Sequence, residues 1–137
     1  MTGRELQYPE LRGVRVLVVD DDADNREMLA TILEHSGALV ATADSAAEAL
    51  SAFGRAPPQV LVTDIGLPDE DGFSLLLKVR ALPAEHGGDI PAIALTGYGL
   101  PDQRSPAGAD GFQAHLTKPV APDEVLAAIA RVLRLRP

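Results

Sequence analysis

Three acidic positions, a threonine and a lysine stand where short apolar runs stop, and these residue types can together move a phosphoryl group. Val14 to Val19 is a nearly continuous run rich in β-branched residues that breaks off at Asp20, Asp21 and Asp22. Val60 to Thr63 ends in Asp64, Ile90 to Leu95 ends in Thr96, and Phe112 to Leu116 ends just before Lys118. Carboxylates gathered in one place repel, by roughly 4 kcal/mol for two unit charges about 4 Å apart at an effective dielectric of about 20. A hard divalent cation relieves that repulsion. Mg2+ suits such a site because it prefers oxygen ligands, keeps several waters and completes its octahedron with phosphoryl oxygens. Phosphoryl transfer further needs an in-line nucleophile and neutralisation of charge on the transferred group. In this scheme Asp64 is the carboxylate nucleophile, Lys118 the point charge and Thr96 the hydroxyl.

For these residues to meet, the runs that carry them must be neighbouring strands of one sheet. Helix-period segments separate the runs. Ala23 to Ser36 places Met28, Leu29, Ile32 and Leu33 on one stripe and stops at Gly37. Leu39 to Ala43 is strand-like, and Ser45 with Glu48 forms a capping-box pattern that opens a helix to Phe53, closed by Gly54. Gly72 to Leu82 reads as a helix with Phe73, Leu76, Leu77 and Arg80 roughly aligned, followed by a Gly-containing loop from Glu85 to Asp89. The last helix runs from about Pro122 to Leu135, with Asp123 and Glu124 in its first turn and Arg131 and Arg134 toward its end, charges that complement the helix dipole. Strands alternating with about five helices imply a doubly wound α/β fold, because parallel neighbours need right-handed crossovers. Ligands in such sheets bind beyond the carboxyl ends of the strands, where the polar residues gather.

The order and flanks of these residues closely resemble the receiver domains of bacterial response regulators. The matching stretches are Val16-Leu-Val-Val-Asp-Asp-Asp22, Leu61-Val-Thr-Asp-Ile-Gly-Leu-Pro-Asp-Glu-Asp-Gly72, Ile93-Ala-Leu-Thr-Gly-Tyr-Gly99 and His115-Leu-Thr-Lys-Pro119, which span nearly the whole chain from Val14 onward. The resemblance implies a three-layer α/β/α, flavodoxin-like fold whose five-stranded parallel sheet has the order 2-1-3-4-5. It implies Asp64 as phosphoacceptor, Mg2+ as cofactor, Asp21 as direct metal ligand, Asp20 as a ligand through water, and the Gly66 carbonyl as another ligand. Thr96 and Lys118 would contact the phosphoryl group, the Lys118–Pro119 bond would be cis, and Thr96 with His115 would form the switch. The phosphoryl donor would be a phosphohistidine of a sensor histidine kinase or of a histidine phosphotransfer protein, with room for a homodimer that forms on phosphorylation. The flavour of the motifs is that of receivers attached to hybrid sensor kinases.

Several residues have plainer readings. Asp22 precedes a helix and reads as its N-cap. Asp69, Glu70 and Asp71 read as a solvated loop before the Gly72 turn. His115 stands where the family usually has an aromatic residue; it is either a pH-sensitive switch or an imidazole filling an aromatic slot. His35 and His86 have no spacing that suggests a metal site. Leu100 to Gly111 holds Pro101, Pro106 and Gly108 and is expected to make a poor helix, since an interior Pro costs about 3 kcal/mol and Gly roughly 1 more.

Composition narrows the function further. With 137 residues and 46% hydrophobic content the chain can bury one core, taken as residues 14–137 after an N-terminal tail of residues 1–13. A net charge of −8, with 20 acidic residues against 12 Lys plus Arg, disfavours nucleic acid as a direct partner. There is no Cys, no secretory signal and no membrane-length apolar stretch, so a cytoplasmic location is expected. A metal-dependent phosphohydrolase would carry a second acid two residues after its nucleophile, where this chain has Gly66. A receiver-shaped interaction module without phosphorylation would have lost acids or the lysine, and all are present here. No Gly-rich phosphate loop supports nucleotide binding.

Overall fold

The computed structural model describes residues 11–97 and 111–134. The expectation for residues 100–111 falls, but for Gly111, outside the described residues. Five strands, β1 (Arg15–Val19), β2 (Leu39–Ala43), β3 (Val60–Asp64), β4 (Ala92–Thr96) and β5 (Ala114–Thr117), form one parallel sheet in the order β2-β1-β3-β4-β5. Four helices are described: α1 (Ala23–His35), α2 (Ala46–Arg55), α3 (Gly72–Arg80) and α4 (Pro122–Arg134). This is the flavodoxin-like fold expected.

Strand residues alternate between two apolar layers. Leu17, Val19, Leu61 and Ala94 pack under α2 and α3 together with Phe53, Leu75, Val79 and Phe112. Val16, Val18, Val60, Val62, Ile93 and Leu95 pack under α1 and α4 with Leu29, Leu33, Val125 and Ile129. Burial on both faces explains why β1, β3 and β4 read as continuous apolar runs rather than alternating ones. The register pairs Val19 with Thr63 and Asp64 with Leu95, so the carboxyl ends of β1, β3 and β4 finish nearly level. That alignment brings Asp20, Asp64 and Thr96 to one edge.

Local differences from the sequence reading have physical causes. Helix α2 continues through Gly54 to Arg55 and stops only where Pro57 and Pro58 forbid a further turn. In α1, Leu29 and Leu33 are buried while Met28 is 44% exposed, at the margin of the stripe. In α3 the buried residues are Leu75, Leu76 and Val79, and Leu77 is 73% exposed, so the apolar face is turned from the one expected. The loop after α3 contains a 3-10 turn, Ala84–His86. Strand β5 begins at Ala114, leaving the fully buried Phe112 ahead of it. Leu11 is also buried and its amide donates to the Ser36 carbonyl at 2.7 Å, so the packed body includes a residue of the expected tail.

Gly72, the first residue of α3, lies against the end of β3: a Cβ there would sit 2.8 Å from the Asp64 carbonyl oxygen and 3.0 Å from Ile65 Cα. Both are backbone atoms and cannot step aside cheaply. Gly72→Ala is therefore expected to destabilise the protein by about 1–3 kcal/mol in chemical denaturation, the usual cost of overpacking. It should also shift the Asp64 and Ile65 amide resonances; an unchanged midpoint would show that α3 can move away freely.

Candidate functional site

Four of the five strands, β1, β3, β4 and β5, deliver the groups of the site. Asp20 follows β1, its amide donating to the Ala43 carbonyl at 3.1 Å. Its Oδ1 accepts from the Asp22 amide at 2.9 Å, and the Arg26 guanidinium donates to its carbonyl at 2.8 Å. Asp22 in turn caps α1, accepting from the Asp24 and Asn25 amides, as its position before a helix suggested. Asp64 ends β3 and its Oδ1 accepts from the Gly66 amide at 3.2 Å. Lys118 follows β5, its amide donating to the Thr96 carbonyl at 2.8 Å, which fixes its backbone beside β4. The Lys118–Pro119 peptide is cis.

The side chains converge. Asp20, Asp21 and Asp64 each offer a carboxylate oxygen within 4.8 Å of the others, with Asp20 and Asp64 buried and Asp21 exposed. The Lys118 ammonium donates to Asp64 Oδ2 at 2.9 Å and lies 3.1 Å from Asp20 Oδ2. The second contact is an ion pair without hydrogen-bond alignment, so Asp20 Oδ2 is buried with no hydrogen-bond partner. A buried anionic oxygen left so, beside two further carboxylates and open toward exposed Asp21, fits a hard cation with oxygen ligands.

Electrostatics follows the geometry. Burial raises the Asp20 carboxyl above the ordinary carboxylate value and Asp64 adds to the rise, against the opposing pull of the Asp22 amide and Lys118. Burial disfavours the Lys118 ammonium, but the hydrogen bond and charge of Asp64, with Asp20 behind it, outweigh that and raise its pKa. Lys118 is therefore a fixed positive charge at neutral pH.

Thr96 is buried at the end of β4, and its hydroxyl donates to the Leu116 carbonyl at 3.4 Å. Gly66 is exposed in the loop after Asp64. His115 is half-buried, its ring edge-on to Phe112 at 5.9 Å, and Phe112 meets Phe73 edge-on at 5.8 Å. His35 and His86 are exposed and belong to no metal-binding group among the described residues.

The acidic run after Asp64 is not merely solvated, as the sequence suggested. Asp71 caps α3 by accepting from the Ser74 amide at 2.8 Å, and Glu70 pairs with Lys78 at 2.7 Å. Asp69 reaches α2, where the Ala46 and Ala47 amides hold its carboxyl below the ordinary carboxylate value. Arg26 was also missed, since nothing at its place in an apolar-striped helix announces that it reaches back to Asp20.

A lysine thus bridges two of three clustered carboxylates at the carboxyl edge of a 2-1-3-4-5 sheet. The sequence profile of the response regulator receiver domain matches residues 16–130. The chain belongs to this family. It is 48% identical over 111 residues to an uncharacterized 14.6 kDa protein of Leptolyngbya boryana, covering 81% of this chain and 83% of that one. It is 37% identical over 122 residues to the response regulator MprA of Mycobacterium leprae, covering 88% of this chain but 51% of MprA. The structure of the chemotaxis response regulator CheY4 of Vibrio cholerae matches with a TM-score of 0.78 at 30% identity, covering 88% of this chain and 98% of that one. Receiver domains take phosphoryl groups from histidine kinases and bind Mg2+ at an acidic pocket, and the acidic cluster among the described residues is Asp20, Asp21 and Asp64. The intact set of acids and lysine does not favour an interaction module of receiver shape. Among the described residues no helix is long and apolar enough to cross a membrane.

The raised Asp20 value makes a signed prediction about the receiver. A carboxyl bound more tightly to its proton in the folded state weighs on stability above its folded pKa, and the burden lifts as pH falls toward the ordinary carboxylate value. Asp20→Asn should therefore stabilise the metal-free protein at pH 7 by about 1 kcal/mol, since it removes a desolvated charge repelled by Asp64 while Lys118 keeps its hydrogen bond to Asp64. The gain should shrink on acidification to pH 4. Thermal unfolding at both pH values checks this, and a lower melting temperature for Asp20→Asn at pH 7 contradicts it.

Proposed function

We propose that Asp64 is the phosphoacceptor of this receiver, taking a phosphoryl group from a phosphohistidine of a sensor histidine kinase or a histidine phosphotransfer protein. The observation that carries the reading is the 2.9 Å contact between Lys118 and Asp64 within a cluster of three carboxylates. An Asp64 oxygen forms the new P–O bond as the donor's P–N bond breaks, and the electron pair stays with the imidazole. Lys118, already held against Asp64, transfers its hydrogen bond to an incoming phosphoryl oxygen and offsets the added charge. Thr96, whose hydroxyl makes a long 3.4 Å bond to the Leu116 carbonyl, would turn its donor toward a second phosphoryl oxygen.

Mg2+ would be held by Asp21 and Asp64 directly, by the Gly66 carbonyl, and by Asp20 through water, and it would neutralise charge on the transferred group. His115 packs in an aromatic slot against Phe112, and a change in its rotamer coupled to Thr96 would carry the phosphorylated state to the surface. A net charge of −8 and the lack of a membrane-spanning helix among the described residues suit a cytoplasmic partner, and a homodimer forming on phosphorylation is part of the same reading.

Incubation with acetyl phosphate and Mg2+ should add one phosphoryl group, seen by intact mass spectrometry, and Asp64→Asn should abolish it. Equal labelling of the variant would move the acceptor elsewhere. Asp21→Ala should weaken Mg2+ binding more than Asp20→Ala does; the reverse order in calorimetric titration would exchange their roles.

A further inference from the structure

Asp69 does not belong to the carboxylate cluster, yet it fastens the loop that carries Gly66. That loop leaves Asp64 and is closed on itself by backbone contacts: the Leu67 and Gly72 amides both donate to the Ile65 carbonyl, at 3.1 and 2.7 Å. Gly66 itself is exposed, and a Cβ placed there would meet nothing within 4 Å, so its peptides are held by hydrogen bonds alone, the Gly66 amide on Asp64 Oδ1 at 3.2 Å and the Leu67 amide on the Ile65 carbonyl. Asp69 supplies a longer tether. Its Oδ1 accepts from the Ala46 amide at 3.1 Å and from the Glu70 amide at 3.0 Å, while its Oδ2 accepts from the Ala47 amide at 3.0 Å.

Ala46 and Ala47 begin α2, where amides have no acceptor within the helix and the dipole favours an anion. The helix N-cap, Ser45, takes the Glu48 amide at 3.2 Å and leaves these two to Asp69. Helix α2 is a firm anchor, since Ala46, Ala49, Ala52 and Phe53 are buried in the core under the sheet. One carboxylate thus joins the middle of the loop to a helix more than 20 residues away in sequence.

We propose that Asp69 is a positioning residue for the metal: bound across the first turn of α2, it holds the loop after Asp64 so that the Gly66 carbonyl is presented to the carboxylate cluster. The inference rests on the reading of Gly66 as a metal ligand and adds a residue to it. It differs from a plain helix cap, because a cap that only stabilised α2 would be interchangeable with Ser45.

That difference defines the experiment. Mg2+ alone is titrated by calorimetry into the full-length wild type, Asp69→Ala, Asp69→Asn and Ser45→Ala, with amide hydrogen exchange read at Gly66 and Leu67. Asp69→Ala should weaken Mg2+ binding about tenfold, at the low end for loss of a group that orients a ligand from outside. Asp69→Asn, keeping one acceptor oxygen, should fall between it and wild type, and Ser45→Ala should bind Mg2+ as wild type does although it too strips a cap from α2. The Gly66 amide should exchange faster in Asp69→Ala than in Ser45→Ala. Unchanged affinity in Asp69→Ala, or equal losses in Asp69→Ala and Ser45→Ala, overturns the proposal. If wild type takes up no Mg2+, the metal reading itself fails, and equal Gly66 exchange in the two alanine variants would then remove the loop-holding role as well.

Discussion

Two buried carboxylates and one exposed one share the carboxyl edge of this sheet with a single ammonium group, and much of the structure is arranged around that charge imbalance. Lys118 satisfies Asp64 with a hydrogen bond, while the buried Oδ2 of Asp20 has the shared ammonium 3.1 Å away as an ion pair and no hydrogen bond of its own. A protein interior tolerates such an atom only at a cost, and that cost is relieved when a cation arrives. A bound cation would also leave coordination positions for the oxygens of a phosphoryl group, whose negative charge the cation and Lys118 would together offset.

The fold meets this demand by keeping strand ends level and strand bodies apolar. Residues such as Val18, Val62 and Leu95 are buried on one face and Val19, Leu61 and Ala94 on the other, so the sheet has little freedom to slide and its ends stay in register. The loops beyond the ends are then secured one by one. Asp20 is held by the Asp22 amide and by Arg26, Lys118 by the Thr96 carbonyl, and the segment after Asp64 by the Ile65 carbonyl and by Asp69. Helix N-termini serve this purpose three times, at Asp22 on α1, Asp69 on α2 and Asp71 on α3, where an acid that could only repel the cluster is put to use as a cap.

Asp20, Asp64, Thr96 and Lys118 were legible in the sequence because each interrupts an apolar run, and a buried parallel strand must end where its polar residue begins. The strand order followed from resemblance, not from periodicity. What escaped is long-range or phase-dependent. Leu75, Leu76 and Leu77 form an unbroken run in a helix of nine residues, so the pattern could not say which leucine faces out. Arg80 read as part of an apolar stripe, but its guanidinium donates to the Gly88, Ile90 and Gly111 carbonyls, contacts that exist only once the chain has folded back. Asp69 likewise looked like one member of a solvated run, since its partners lie in a helix that precedes it.

The central claim is that the carboxylate cluster is a site under electrostatic load that a divalent cation relieves. Anything that binds the folded state alone raises its stability by an amount that grows with the logarithm of its concentration. Thermal unfolding of the wild type across a series of Mg2+ concentrations, at constant ionic strength and against Asp64→Ala, tests this most directly. The melting temperature of the wild type should climb steadily with Mg2+ and that of the variant should stay nearly flat; a wild-type melting temperature indifferent to Mg2+ would contradict the account.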